Sequence, residues 1–133
     1  MTKSDPDEAP DKVQIGVTPT AEKHLDALEE SGWFLDRQDA YRLAIAVALA
    51  RKLLPAASEM QGLRTSYNFA GGIDRDGKLR QLISLFAPGE ASRPAAFAER
   101  LAHAGLAFLA ARLVDQGATL SDVLDPAQMS PWN

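Results

Sequence analysis

Few side chains in this 133-residue sequence are spaced for catalysis. The two histidines, His24 and His103, fall in different predicted helices, and neither is followed by a histidine or a carboxylate four residues later. Asp74, Asp76 and Gly77 resemble the beginning of a calcium loop, but the glutamate that closes such a loop is missing. The absence of cysteine excludes disulfides and thiolate chemistry. We therefore expect a protein that is not an enzyme and needs no metal or cofactor.

The cationic side chains offer a different chemistry, because they are unevenly distributed. Residues 1–11 hold one lysine against four acids, so the net charge of −4 leaves only −1 for the other 122 residues. Between residues 37 and 80 the balance reverses, with eight bases against four acids. These bases are Arg37, Arg42, Arg51, Lys52, Arg64, Arg75, Lys78 and Arg80. Such groups can bind phosphate or carboxylate, although the region is only modestly basic for a nucleic-acid binder.

The N-terminal half must position these groups on one strand and two helices. Apolar and polar residues alternate over residues 12–18, which predicts a half-buried strand. An amphipathic helix follows over residues 21–30, with Thr18 or Thr20 as its cap and Gly32 at its end. Asp36 can cap a second helix, which runs to a stop before Pro55 and is apolar on nearly every side.

The second half is predicted to be helical as well. Residues 56–75 have the composition of a loop with one short extended piece. A helix then begins at Asp76 or Gly77, and a longer one begins at Pro94. Overall we expect a mainly α chain, with a short N-terminal strand followed by about four helices. Residues 1–11 form a disordered acidic tail in this interpretation, residues 12–126 a single helical domain and residues 127–133 a frayed C-terminus.

The strand and the second helix both indicate a second copy of the chain. A lone strand has no ladder partner within residues 12–54, and a helix that is apolar on every side must be covered on every side. We therefore expect a homodimer or a homotetramer. The residues assigned to the interface are Val13, Ile15, Val17, Tyr41, Ile45, Val47 and Leu49.

The order of strand, helix, turn and helix resembles the ribbon-helix-helix family of DNA-binding dimers. That resemblance implies an antiparallel ribbon made from two copies, whose outward side chains reach the major groove of DNA. Here the outward positions are Lys12, Gln14, Gly16 and Thr18. Lys12 and Gln14 carry donors for phosphates or base edges, whereas Gly16 has no side chain to offer.

A second resemblance covers roughly 110 residues. Tyr67-Asn68-Phe69 with Gly71 or Gly72, the leucine-rich stretch 79–85, the stretch 101–106 and the stretch 120–124 follow one another as in the DndE family. DndE is a small protein of bacterial DNA phosphorothioation systems. The resemblance implies oligomerisation, a place in a DNA sulfur-modification or phage-defence system, and binding of duplex DNA, particularly nicked duplex.

Two functions from different classes stay open. In the first, the chain is a non-enzymatic DNA-binding subunit of such a system and contacts the backbone of double-stranded, possibly nicked, DNA. In the second, it is a protein-protein adaptor or scaffold that contacts other subunits of the complex and no DNA. The predicted DNA contacts are Lys12, Gln14, Arg37, Arg42, Arg51, Lys52 and Arg64.

The sequence also bears on location. Its apolar runs are shorter than the roughly 20 residues of a membrane span, and residues 1–11 contain no apolar stretch that could serve as a signal peptide. We therefore expect a cytoplasmic protein without a membrane partner.

Overall fold

The computed structural model describes residues 10–125, which are mostly helical and include one short two-stranded sheet. The elements are β1 (Gln14–Val17), α1 (Pro19–Glu30), α2 (Arg37–Arg51), β2 (Arg64–Asn68), α3 (Lys78–Phe86), α4 (Pro94–Leu109) and α5 (Leu120–Val123). A wider helical turn extends α4 over Ala110–Asp115, and another follows β2 over Phe69–Ile73. The predicted mainly α class with an N-terminal strand is confirmed. The frayed terminus predicted for residues 127–133 lies outside the described residues.

Local signals determine where the first two helices begin and end. The side chain of Thr18 accepts a hydrogen bond from the amide of Ala21, 3.1 Å away, and so caps α1. Asp36 caps α2 in the same way through the amide of Asp39. Lys52 ends α2 in a left-handed conformation, with φ of 60°. The helix therefore stops three residues before Pro55.

β1 pairs with β2 of the same chain in an antiparallel ribbon. Gln14 lies opposite Asn68 and Gly16 lies opposite Thr65, while Ser66 is the extra residue of a bulge. The prediction that the strand needs a second copy is therefore wrong. Its partner lies about 50 residues further along the chain, in the segment that the sequence predicted to be mostly loop.

α2 is covered mainly by α4, with α1 and α3 also packed against it. Six of the seven residues predicted to form an oligomer interface lie in this core, each at most 3% exposed. They are Ile15, Val17, Tyr41, Ile45, Val47 and Leu49. The seventh, Val13, is 78% exposed. The assignment is corrected because α2 crosses the centre of a single chain, where one helix can be apolar on every side without a second copy.

The acidic tail is shorter than predicted. The carboxylate of Asp11 accepts hydrogen bonds from the amides of Ala95 and Ala96, at 2.9 and 3.0 Å, in the first turn of α4. A carboxylate there satisfies two amides that the helix itself leaves unpaired. The predicted disorder is thus wrong at Asp11, and the prediction for residues 1–9 lies outside the described part of the chain. Within residues 10–125, no helix has the length and apolar character needed to cross a membrane.

Candidate nucleic-acid interface

The face of the ribbon that points away from the core is polar and exposed. Ile15 and Val17 turn their side chains into the core, so Gln14 and Gly16 fall on the opposite face, where Gln14 is exposed and Gly16 is buried. Thr65, Ser66 and Asn68 of β2 are exposed beside them. We call this surface the outer ribbon face, and its residues are Gln14, Thr65, Ser66 and Asn68. Arg64 is exposed at the end of the ribbon, opposite Val17 and beside Glu22 and Lys23 of α1.

The outer ribbon face carries amide and hydroxyl groups, and the guanidinium of Arg64 lies at the end of the ribbon. Gln14 donates from Nε2 to Oδ1 of Asn68 across the strands, 3.4 Å away, and each amide keeps further donor or acceptor capacity. Neither strand contains Asp or Glu. At Gly16 a Cβ atom would lie 2.5 Å from the carbonyl oxygen of Arg64, so this position supplies backbone alone. The surface can therefore hydrogen-bond a ligand without presenting a negative charge to it.

The other edge of β1 is closed by side chains from α4 and α2. Glu99 accepts from the amide of Gly16 through Oε2, at 2.8 Å, and from Nζ of Lys12 through Oε1, at 2.6 Å. The hydroxyl of Tyr41 donates to the carbonyl of Gly16, 3.0 Å away. Burial raises the pKa of Tyr41 well above its ordinary value, which keeps the hydroxyl protonated. These side chains bond the free edge of β1 as a third strand would, and they hold the ribbon against the helices.

His103 completes this edge in its neutral form. Its Nε2 accepts from the amide of Thr18, 3.1 Å away, and its Nδ1 donates to the carbonyl of Glu99, 2.7 Å away. This arrangement requires the proton on Nδ1 and none on Nε2. Burial lowers the pKa of His103, and burial also lowers the pKa of His24, which lines the same small cavity.

We expect the protein to lose stability as the pH falls through the range of histidine titration. Since the pKa of His103 and of His24 is lowered on folding, the unfolded chain takes up protons first, near its ordinary pKa of about 6.5. The stability that the two neutral histidines give to the folded chain is fully present above that pH and is lost as the pH falls below it. Urea unfolding followed at pH 7.5, 6.5 and 5.5 should show the decline, and His103→Gln should reduce it. A free energy of unfolding that rises on acidification would contradict this.

Arg37 is engaged by acidic side chains within the chain. Its guanidinium pairs with Glu22, with Asp26 at 2.5 Å and with Glu29 at 3.9 Å, all on α1. These three carboxylates also raise its pKa, chiefly through the hydrogen bond to Asp26. One cation shared by three acids presents no positive surface. This pairing argues against the predicted phosphate contact at Arg37, and a charge count does not detect pairing across a turn.

Three further predicted contacts on α2 and its end lie apart from the ribbon. Arg42 donates to the carbonyl of Ile73 and pairs with Asp39 at 2.6 Å. Arg51 donates to the carbonyl of Val123 and stacks on the ring of Phe108, 4.6 Å from its centroid. Lys52 is the partly buried C-cap of α2. Arg42 and Arg51 thus bind backbone and pack helices together, which corrects their predicted role.

Lys12, Gln14 and Arg64 are the predicted contacts that the structure brings to the ribbon. Lys12 is anchored on Glu99 but keeps 40% of its side chain exposed. The sequence prediction missed the three polar residues of β2, which are Thr65, Ser66 and Asn68. Alternating β-forming residues between Gly62 and Gly71 are the signal that could have found them. Glu99 and His103 were missed as well, although two polar residues four positions apart stand out in an apolar helix.

The segment that resembles a calcium loop is a helix cap. Asp74 is 1% exposed, and its carboxylate accepts from the amide of Leu79 at 2.9 Å and from Nε of Arg80 at 2.7 Å. Both oxygens are used by the first turns of α3 and its arginine. Asp74 therefore serves the start of α3 and its arginine.

Comparisons of the chain with protein-family models, with curated proteins and with solved structures gave no match. The resemblance to DndE proteins therefore remains a prediction from short sequence motifs.

Proposed function

We propose that this protein contacts duplex DNA through its outer ribbon face. In this proposal it is a non-enzymatic subunit of a bacterial DNA-modification or defence system of the DndE kind. The observation that carries the proposal is a two-stranded ribbon whose outward exposed side chains are amides and hydroxyls, with the exposed Arg64 at its end and no acid in either strand. The sequence resemblance to DndE supports the cellular setting, and the resemblance to ribbon-helix-helix proteins supports the mode of contact.

The dimensions of the ribbon suit the major groove. Two paired strands lie about 4.8 Å apart, and the groove of B-form DNA is about 12 Å wide. Gln14 and Asn68 can donate to and accept from an adenine edge, and Arg64 can donate to guanine or to phosphate. One chain would thus supply the ribbon that ribbon-helix-helix proteins assemble from two. Ribbon contacts would read base edges rather than the backbone alone.

The electrostatics indicate modest affinity with a weak dependence on salt. Lys12 and Arg64 are the cations in the two strands and the residues that lead into them, and Arg37 is occupied by three acids. Each phosphate neutralised adds about 0.9 to the slope of log affinity against log salt, so we expect a slope of about 2 or less. Hydrogen bonds from the uncharged side chains must therefore contribute a large part of the binding.

Charge reversal at the ribbon provides the test. Arg64→Glu should weaken binding to a fluorescent 20-base-pair duplex at least about tenfold at low salt, because it places a carboxylate beside the phosphates. Lys78→Glu makes the same charge change at the first residue of α3, where a carboxylate suits the helix, and it should bind like the wild type. Fluorescence anisotropy at about 50 mM salt measures both.

Intact and nicked duplexes belong in the same experiment. The DndE resemblance favours the nicked duplex, and the comparison must be made at one salt concentration. If the wild type binds neither duplex at about 50 mM salt, the DNA proposal fails, and the adaptor function becomes the better account. Equal losses in Arg64→Glu and Lys78→Glu would show general charge attraction and would exclude the ribbon as the contact.

A further inference from the structure

The turn between α1 and α2 displays large apolar side chains to solvent. Leu35 is 99% exposed and Trp33 is 42% exposed, whereas Phe34 between them is partly buried against the core. A leucine exposed beside an exposed tryptophan, at the tip of a tight turn, serves no purpose in the fold of the chain. We call residues 31–36 the apolar turn.

The apolar turn is held in one conformation by contacts at both ends. Ser31 donates from its hydroxyl to the carbonyl of Leu28 at 2.5 Å, and Gly32 follows with φ of 83°, a value that favours glycine. Asp36 caps α2, and Arg37 beside it reaches back to the carboxylates of α1. Leu35 is therefore presented by a pre-ordered turn, which reduces the entropy lost on binding.

Acidic side chains surround the apolar turn. Residues 22–42 contain six acids and three bases, and the last turn of α1 has no base. Asp26, Glu29, Glu30 and Asp36 are all exposed. Two of the three bases, Arg37 and Arg42, are already engaged by acids of this same segment. The turn thus combines an apolar tip with a negative rim, which repels phosphate and anionic lipid headgroups.

We propose that the apolar turn docks into a partner protein that offers an apolar pocket rimmed by lysine or arginine. Leu35 and Trp33 are the groups that enter the pocket, and the exposed carboxylates of Glu30 and Asp36 pair with the rim. Charge complementarity selects this occupant and sets the orientation of docking. The proposal stands on the geometry of the turn and does not depend on the DNA contact at the ribbon.

A peptide library provides a defined probe for this surface. Phage-displayed random peptides would be selected on the wild-type protein at low salt and depleted on Leu35→Ser. Enriched peptides should combine lysine or arginine with a large apolar residue. A synthetic peptide of the enriched sequence should bind at least about tenfold more weakly to Leu35→Ser, as expected for the loss of a fully buried leucine. Leu85→Ser is the matched control, because Leu85 is 75% exposed on α3, and it should bind like the wild type.

Other results would overturn the proposal. If the library yields no binder, or only peptides without basic residues, a charge-complementary partner at this turn is excluded. Equal weakening in Leu35→Ser and Leu85→Ser would show general apolar adhesion. If light scattering shows that the wild type self-associates and Leu35→Ser does not, the turn is a contact between copies of this chain. Melting curves of both variants should match the wild type, since neither side chain is buried.

Discussion

Replacing Gly105 with alanine is expected to prevent the normal fold. A Cβ atom at this position would lie 2.0 Å from the carbonyl oxygen of Ala44 and 2.5 Å from its carbonyl carbon. Both atoms belong to the backbone of α2, so no side-chain rotation can relieve the overlap, and the two central helices must move apart. Because overpacking a well-packed core costs about 1–3 kcal/mol and sometimes more, we expect a loss of at least about 3 kcal/mol. Urea unfolding followed by circular dichroism measures it.

Gly89→Ala is the matched control for this prediction. A Cβ atom there meets no other atom within 4 Å, and Gly89 has no positive φ. It should therefore unfold with the wild type or slightly later, because alanine restricts the unfolded chain. If Gly105→Ala is as stable as Gly89→Ala, then the backbones of α2 and α4 do not touch at Gly105.

Glu99→Ala is expected to have the second-largest effect. Glu99 is 4% exposed, and its removal leaves the buried amide of Gly16 without an acceptor and Lys12 without its partner. An unsatisfied buried amide costs about 1–3 kcal/mol, so we expect a loss of about 2 kcal/mol together with weaker DNA binding. Denaturant unfolding and fluorescence anisotropy on the same samples give both quantities.

Arg100→Ala tests whether the effect of Glu99→Ala belongs to the ribbon. Arg100 is the next residue of α4 and is exposed, so its replacement removes a charge without breaking a buried contact. The variant should keep wild-type stability within about 0.5 kcal/mol. If Glu99→Ala is no less stable than Arg100→Ala, the side-chain closure of the β1 edge does not hold the ribbon in place.

Local signals predicted the helices and failed for the sheet. Asp36, the cap of α2, and Pro94, the first residue of α4, mark helix starts through contacts within a few residues, which a sequence pattern can show. The pairing of Gln14 with Asn68 spans 54 positions, and β2 is a short, mostly polar strand, so its alternating β-forming residues give a weak signal. The uniformly apolar α2 was interpreted as an interface because the sequence alone does not show how many neighbours one helix has.

The sequence predicted only part of the candidate site, again because it does not show which residues are in contact. Lys12, Gln14 and Arg64 were identified by residue type, and the structure places them at the ribbon. Arg37 and Arg42 were identified by the same rule, but acids of α1 and α2 neutralise them. The charge of a residue can be counted from a sequence, whereas its partner depends on the packing of the helices.

The most direct test of the DNA contact is a crosslink from the ribbon itself. A photo-reactive amino acid placed at Thr65, which is exposed on the outer ribbon face, should crosslink to a bound duplex on illumination. The same amino acid placed at Leu85, which is exposed on α3, should give little or no crosslink. We expect a strong protein–DNA crosslink from position 65, which an excess of unlabelled duplex should remove by competition. A duplex that binds but crosslinks equally from both positions, or from position 85 alone, would contradict it.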